Sequence, residues 1–223
     1  MNQFSQTEPI VVLDFETTGL YPDNGDRVIE IGAVLLRNQE IVDRFQSLVN
    51  PGFFVNREIE NITGITNAML GEAPPALEVM EKFLKFIDTH PLVAHNASFD
   101  RSFLETELGH FGKKRPLNFG CTLRVARRLY PDVMNYKLET LMRYKNLSVN
   151  GQFHRALADA GMAAQLWVKL IEDLKEQFGF EHVSFDLMKR IGKMNKDNVS
   201  ALLQKEAEEL RTQKVDTTGN LFG

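Results

Sequence analysis

The chain has 223 residues, 43% apolar and 25% charged, proportions that exclude a disordered tail and leave room for one catalytic-size domain but not a second large one. Twenty-six lysines and arginines against thirty aspartates and glutamates give a formal charge of −4, so no global positive field marks a nucleic-acid binder. One cysteine, Cys121, excludes an intramolecular disulfide, no apolar run approaches the ~20 residues that span a bilayer, and the polar Met1–Pro9 lacks a signal peptide's apolar core, so the expected address is the cytoplasm, away from membranes.

Ile10 to Asp14 is a β-rich apolar run closed by Thr17-Thr18-Gly19 and predicts a buried strand with its turn. Val28 to Leu36 and Ile41 to Val49 are two further strands joined at Arg37-Asn38-Gln39, which predicts an antiparallel meander of three strands ended by Pro51-Gly52. Ala76 to Ile87 has helical apolar spacing, with Pro74 and Pro75 suited to its start. Leu92 to Ala94 then reads as a strand, Ser98 to Leu108 as a helix and Asn118 to Cys121 as a fifth strand. Further helices are expected at Leu123 to Leu129, Leu138 to Tyr144 and Arg155 to about Phe178, the last striped by Ala156, Ala160, Ala163, Trp167 and Leu170. Beyond Gly179 two short amphipathic segments, Val183 to Met194 and Val199 to Leu210, precede a polar end, Thr212 to Gly223. Strands alternating with helices predict an α/β sheet.

Charge is unevenly spread. Residues 1–100 carry six basic and fifteen acidic groups, 101–150 ten and four, and 151–223 ten and eleven. The middle of the chain is therefore a basic block.

Side chains alternate across a strand, so Asp14 and Glu16 share one face at the end of the first strand while Phe15 takes the other. Two like charges ~4 Å apart repel by ~4 kcal/mol at an effective dielectric of ~20, so this pair calls for a cation. Asp100 closes the run His95-Asn96-Ala97-Ser98-Phe99-Asp100 between a strand and a helix; it either complements the helix dipole or joins a site beyond the strand ends. Asp159 borders the apolar stripe of the long helix and wants a metal or a partner. His154, five residues earlier, would lie about 140° away on a helix, so it belongs on the loop entering it.

These motifs, in this order, resemble the DEDDh branch of 3′-to-5′ exonucleases, similar to the epsilon proofreading subunits of bacterial DNA polymerase III and to ribonuclease T. The resemblance covers about residues 9 to 172 and includes Ile62-Thr63-Gly64-Ile65-Thr66, similar to the family's substrate loop. The branch with tyrosine four residues before the last aspartate is disfavoured, because Arg155 stands there. The resemblance implies an α/β ribonuclease H-like fold: a mixed central sheet, with the meander plus parallel strands, flanked by helices. It divides the chain into an exonuclease domain, 1–178, and a helical C-terminal extension with a polar tail, 179–223.

It implies two divalent ions, Mg²⁺ or Mn²⁺, with Asp14, Glu16 and Asp159 on the first and Asp14 and Asp100 on the second. The first ion would activate a water and the second would stabilise the leaving 3′ oxygen. His154 would be the general base, a role suited to imidazole, whose unperturbed pKa is about 6.5. Phe15, Ile62, Thr63 and Phe99 would pack on the terminal sugar and base, with Thr17, Thr18 and Asn96 as polar contacts; each is equally readable as a core aromatic or a turn former. The expected activity is release of nucleoside 5′-monophosphates from single-stranded 3′ ends, DNA ahead of RNA, with a DNA polymerase or sliding clamp as partner. An exoribonuclease and a polymerase-associated scaffold remain as alternatives. Lys113-Lys114-Arg115 with Arg124, Arg127 and Arg128 are expected to contact phosphates, and Leu221-Phe222 faintly resembles a clamp-binding peptide.

Overall fold

The computed structural model describes residues 8–149 and 154–219, with side chains through 209. Five strands form one sheet: β1 (Ile10–Thr17), β2 (Val28–Arg37), β3 (Glu40–Leu48), β4 (Leu92–Ala94) and β5 (Phe119–Cys121). Their spatial order is β3-β2-β1-β4-β5. The first three are antiparallel and β4 and β5 run parallel to β1, as expected. The β2–β3 turn places Asn38 and Gln39 at φ of 51° and 69°, both left-handed, which matches the twist of a two-residue hairpin.

Helices cover both faces. On one, α3 (Ala76–Ile87) and α4 (Ser98–His110) pack Met80, Phe83, Phe103 and Leu104 against Val11, Leu13 and Phe15. On the other, α5 (Thr122–Leu129), α6 (Leu138–Tyr144) and α7 (Ala156–Phe178) pack Val125, Leu141 and Leu166 against Val12, Val34 and Val93. Strand β1 is thus buried on both sides, which is why it reads as an unbroken apolar run. Phe15 falls on the α3 side; Asp14 and Glu16, in step with Val12, face α7.

The segment 57–71 folds as two short helices, α1 (Arg57–Thr63) and α2 (Asn67–Gly71), and not as a plain loop. Asn56 caps α1 by accepting from the Ile59 N–H at 3.0 Å, and Gly64, at φ 70°, ends it. Thr66 caps α2 through the Met69 N–H. Helices of this length are too brief to print a 3.6-residue apolar period; Val55, Ile65 and Leu70 hold them on Ile29 as a satellite core.

After α7, α8 (Phe185–Lys193) and α9 (Val199–Gly219) follow the expected segments, although the backbone stays helical past Thr212, into the stretch expected as a polar end. Phe185, Met188, Ile191 and Leu203 belong to the same apolar cluster as α7. The apolar side chains of 180–207 therefore join the domain's own core. Leu221 and Phe222 lie outside the described residues. No helix among the described residues is long and apolar enough to cross a membrane.

Candidate active site

Asp14 on β1 pairs with Gly32 on β2. A Cβ at Gly32 would stand 2.0 Å from the Leu157 nitrogen and 2.1 Å from the Ala156 carbonyl carbon. Glycine is thus what lets the first turn of α7 lie directly on the sheet beside Asp14. One turn in, Asp159 meets the β1 pair, and carboxylate oxygens of Asp14, Glu16 and Asp159 all lie within 4.8 Å of one another. Asp100, in the first turn of α4 and 1% exposed, reaches over the end of β1: its Oδ1 accepts from the Phe15 N–H at 3.2 Å. His154 precedes α7 with φ 62° and is exposed. Its backbone N–H donates to Asp159 Oδ2 at 2.8 Å, so the turn that presents the histidine is tied to a carboxylate of the cluster.

The electrostatics fit a cation site. Burial pushes the Glu16 carboxyl up to about 8, with Asp159, Glu30 and Asp100 adding repulsion. Burial likewise raises Asp100 to about 7, against the opposing pull of backbone N–H groups, its own and Phe15's. Asp14 is raised well above the ordinary range by burial, then by Asp100, Asp159 and Glu16. Asp159 is raised mainly by burial, opposed by the His154 N–H. Four acids that resist ionising together at neutral pH gain most from a hard divalent cation, and an all-oxygen donor set suits Mg²⁺ or Mn²⁺ better than zinc. His95 is not available to such an ion. Its Nε2 lies 2.9 Å from the Tyr136 carbonyl, which can only accept, so that nitrogen carries the proton and Nδ1 accepts from the Thr122 hydroxyl at 2.8 Å. Burial, with Arg127 nearby, holds the ring neutral at a pKa of about 4.

One participant escapes notice in the sequence. Glu30 pairs with Glu16 across β1 and β2 yet is fully buried. Its carboxylate takes both ends of the Arg155 guanidinium at 2.8 and 3.1 Å, the Ala156 N–H at 3.1 Å and Gln46 Nε2 at 2.8 Å. Burial alone would raise Glu30, but Arg155 leads the groups that outweigh it and hold it below its ordinary value. Glu30 therefore stays ionised and clamps the residue after His154 to the sheet. The signal was a glutamate inside an apolar strand, Val28-Ile29-Glu30-Ile31.

The expected substrate contacts divide. Asn96 is exposed, at φ 66° between β4 and α4, and Phe99 is half-buried with its ring 4.9 Å from Phe103. Ile62 is 48% exposed on α1. By contrast, the Phe15 ring is buried edge-on to Phe83, and only its backbone reaches the site. The Thr17 hydroxyl donates to the Gly19 carbonyl, Thr18 bonds Asp26 and the Arg27 N–H, and buried Thr63 bonds the Ile59 carbonyl and the Ile65 N–H. These three threonines serve as turn and cap formers.

The basic block also divides. Lys113 pairs with Glu81 and Arg115 bonds the His90 carbonyl, just before β4 begins. They therefore sit at the end of the sheet opposite the carboxylates, at a distance from the cut end whose upstream phosphates they are expected to contact. Arg127 stacks on Tyr136 and Arg128 donates to the Met194 carbonyl, whereas Arg124 lines a cavity between α4 and α8.

Residues 11–167, which include all four carboxylates and His154, match the profile of a family described as exonuclease. This chain belongs to that family. With its histidine loop and without the tyrosine, the exonuclease falls in the DEDDh branch, and its sheet is the ribonuclease H-like one. It is 42% identical to the DNA polymerase III PolC-type of Caldanaerobacter subterraneus subsp. tengcongensis over 174 residues, 78% of this chain and 12% of that protein. The chain thus spans about an eighth of the PolC-type relatives it matches. It is 35% identical to the DNA polymerase III subunit epsilon of Aquifex aeolicus, over 76% of this chain and 83% of that one. Among solved structures, exonuclease X in complex with 5′ overhanging duplex DNA superposes with a TM-score of 0.65 at 28% identity, covering 82% of this chain and 99% of that chain. The nuclease domain of 3′hExo, a DEDDh family member bound to rAMP, superposes equally at 22% identity, over 78% and 95% of the two chains, and speaks to the fold alone.

Proposed function

We propose that this exonuclease hydrolyses single-stranded DNA from its 3′-hydroxyl end, releasing nucleoside 5′-monophosphates in proofreading or repair. The observation that carries the reading is the convergence of Asp14, Glu16 and Asp159 within 4.8 Å beside buried Asp100. When bound, two divalent ions, Mg²⁺ or Mn²⁺, one held by Asp14, Glu16 and Asp159 and one by Asp14 and Asp100, supply the positive charge that makes the attacking water acidic and the leaving oxygen stable.

The chain's own residues do the rest. His154, exposed on its left-handed turn, takes the water's proton as its oxygen bonds to phosphorus. The P–O3′ bond breaks, and the released oxygen of the upstream strand acquires a proton from solvent. Asp159 steadies the His154 turn through its backbone N–H, and Glu30 steadies Arg155. Phe99, Asn96 and Ile62 border the place where the last nucleotide would lie, and stacking on aromatic and apolar groups suits sequence-independent trimming.

DNA is preferred to RNA because the curated relatives are DNA polymerase III proteins, and a polymerase or its sliding clamp is the partner that this kinship favours. The test is mononucleotide release from matched 5′-labelled single-stranded DNA and RNA with Mg²⁺, Mn²⁺ or chelator, alongside Asp14→Asn and His154→Ala. Stepwise, metal-dependent 3′ shortening of DNA that both variants lose is the expected result. Faster cleavage of RNA would reassign the substrate, and no cleavage of either strand would reject a free-standing nuclease in favour of a scaffold.

A further inference from the structure

The carboxylates that make the site also repel the backbone they must approach, and the first hundred residues carry fifteen acidic groups against six basic ones. A polyanionic substrate longer than its terminal nucleotide needs positive charge elsewhere on the same face.

A cavity of about 330 Å³ runs along β5, the edge strand, between the first turn of α4 and α8. Arg101 of α4, Arg124 of α5, and Lys189 and Lys193 of α8 line it, together with Ser98 and Asn118. Among the described residues, the side chains of Arg124 and Lys193 have neither an ion pair nor a hydrogen bond. Arg101 is paired only with Glu105, both about half exposed, and Lys189 with Asn118 and, at 3.4 Å, Asp186. Exposed pairs of this kind contribute little and yield readily to a phosphate.

Cys121 pairs with Ala94 of β4, and Val93 pairs with Val12 of β1. The end of β5 is therefore two strand spacings, roughly 10 Å, from the strand that carries Asp14. Ser98, which lines the groove, and Asp100, which reaches over β1, lie about 200° apart on the first turn of α4, so that turn separates the groove from the carboxylates by no more than its own width. Helix α8 is held firmly: Gly192 packs with its would-be Cβ 3.3 Å from the Arg124 Cβ, Arg128 Nε donates to the Met194 carbonyl at 2.7 Å, and Met188 and Ile191 are fully buried.

We infer that this groove binds the backbone phosphates of the nucleic acid just upstream of the cut end, with Lys189 and Lys193 as its outer wall. Helix α8 is then part of the substrate site. The inference rests on the nuclease reading above for the identity of the polyanion, and its test separates the two.

The experiment measures binding of a fluorescein-labelled dT12 by anisotropy in chelator, where no turnover occurs, across a salt series, for the unmodified chain, K189A/K193A and K189R/K193R; KM against oligonucleotide length is then measured with Mn²⁺. The alanine pair should weaken binding about tenfold at low salt and flatten the log–log salt slope by about 1.4, the value for two lost single-strand phosphate contacts. The arginine pair should restore both, and the KM penalty should grow with length. An unchanged salt slope in the alanine pair, failure of the arginine pair to restore binding, or no DNA binding by the unmodified chain would overturn the groove. Binding that follows the expected pattern without hydrolysis by the unmodified chain would keep the groove and reject the nuclease reading; hydrolysis with an unaltered slope would do the reverse.

Discussion

Asp100→Asn should stabilise the metal-free protein at alkaline pH while abolishing its activity. The aspartate's ordinary value is 3.8 and the fold raises it to about 7, so the unfolded chain gives up this proton far more readily than the native one. Between those two values the native state holds the extra proton, and stability falls as pH rises, by up to about 1.4 kcal/mol per pH unit. Below the lower value both states are protonated and the penalty vanishes; above the upper it is complete, up to about 4 kcal/mol. Asparagine keeps the acceptor for the Phe15 N–H but cannot ionise. Thermal melts in chelator at pH 5 and pH 8 should show the unmodified chain losing more stability than the variant across that interval, by about 3 kcal/mol from the two pH units between pH 5 and about 7, or roughly 5–10 °C. Mn²⁺ should restore most of the loss in the unmodified chain and should raise the variant's melting temperature less, because only the ion on Asp14, Glu16 and Asp159 keeps its full ligand set there. Equal pH dependence in the two proteins, or a metal-induced shift as large in the variant as in the unmodified chain, would refute the account of the cluster as mutually repelling acids awaiting a cation.

His154→Ala should cut kcat by 10²- to 10⁴-fold while the Mn²⁺-induced rise in melting temperature persists, since the carboxylates stay intact. Arg155→Ala strands the buried Glu30 carboxylate and should cost about 3–5 kcal/mol in a denaturant titration; Arg155→Lys, which cannot match the two-pronged contact, should recover only part of that. Gly32→Ala should displace the start of α7, seen as lost activity and a lost metal-induced melting shift even where the circular dichroism spectrum remains helical.

Much of the site was readable because β-strand alternation is rigid: Asp14 and Glu16 had to share a face, and a five-residue gap forced His154 off the helix that carries Asp159. Glu30 was not readable, since a lone acid in an apolar strand discloses its partner only when β2 is laid beside β1 and Arg155 arrives from 125 residues away. The threonines at 17, 18 and 63 were readable both as polar contacts and as turn formers, and their hydrogen bonds within the chain are the part that sequence does not show, because they depend on which neighbouring group lies in reach. Lys113 and Arg115 cluster with Arg124 in sequence, but a parallel strand lies between them and carries the chain from one end of the sheet to the other. The helices at 57–71 were lost to their brevity, since capping residues without an apolar period read as a turn.

The first turn of α7 lies against Gly32, so the two halves of the site come from opposite ends of the chain, Asp14 and Glu16 from its beginning and His154 and Asp159 from beyond residue 150. A chain still being synthesised holds the early carboxylates without the late ones. It has neither the complete cation cage nor the base, and so cannot attack nucleic acid until α7 has docked.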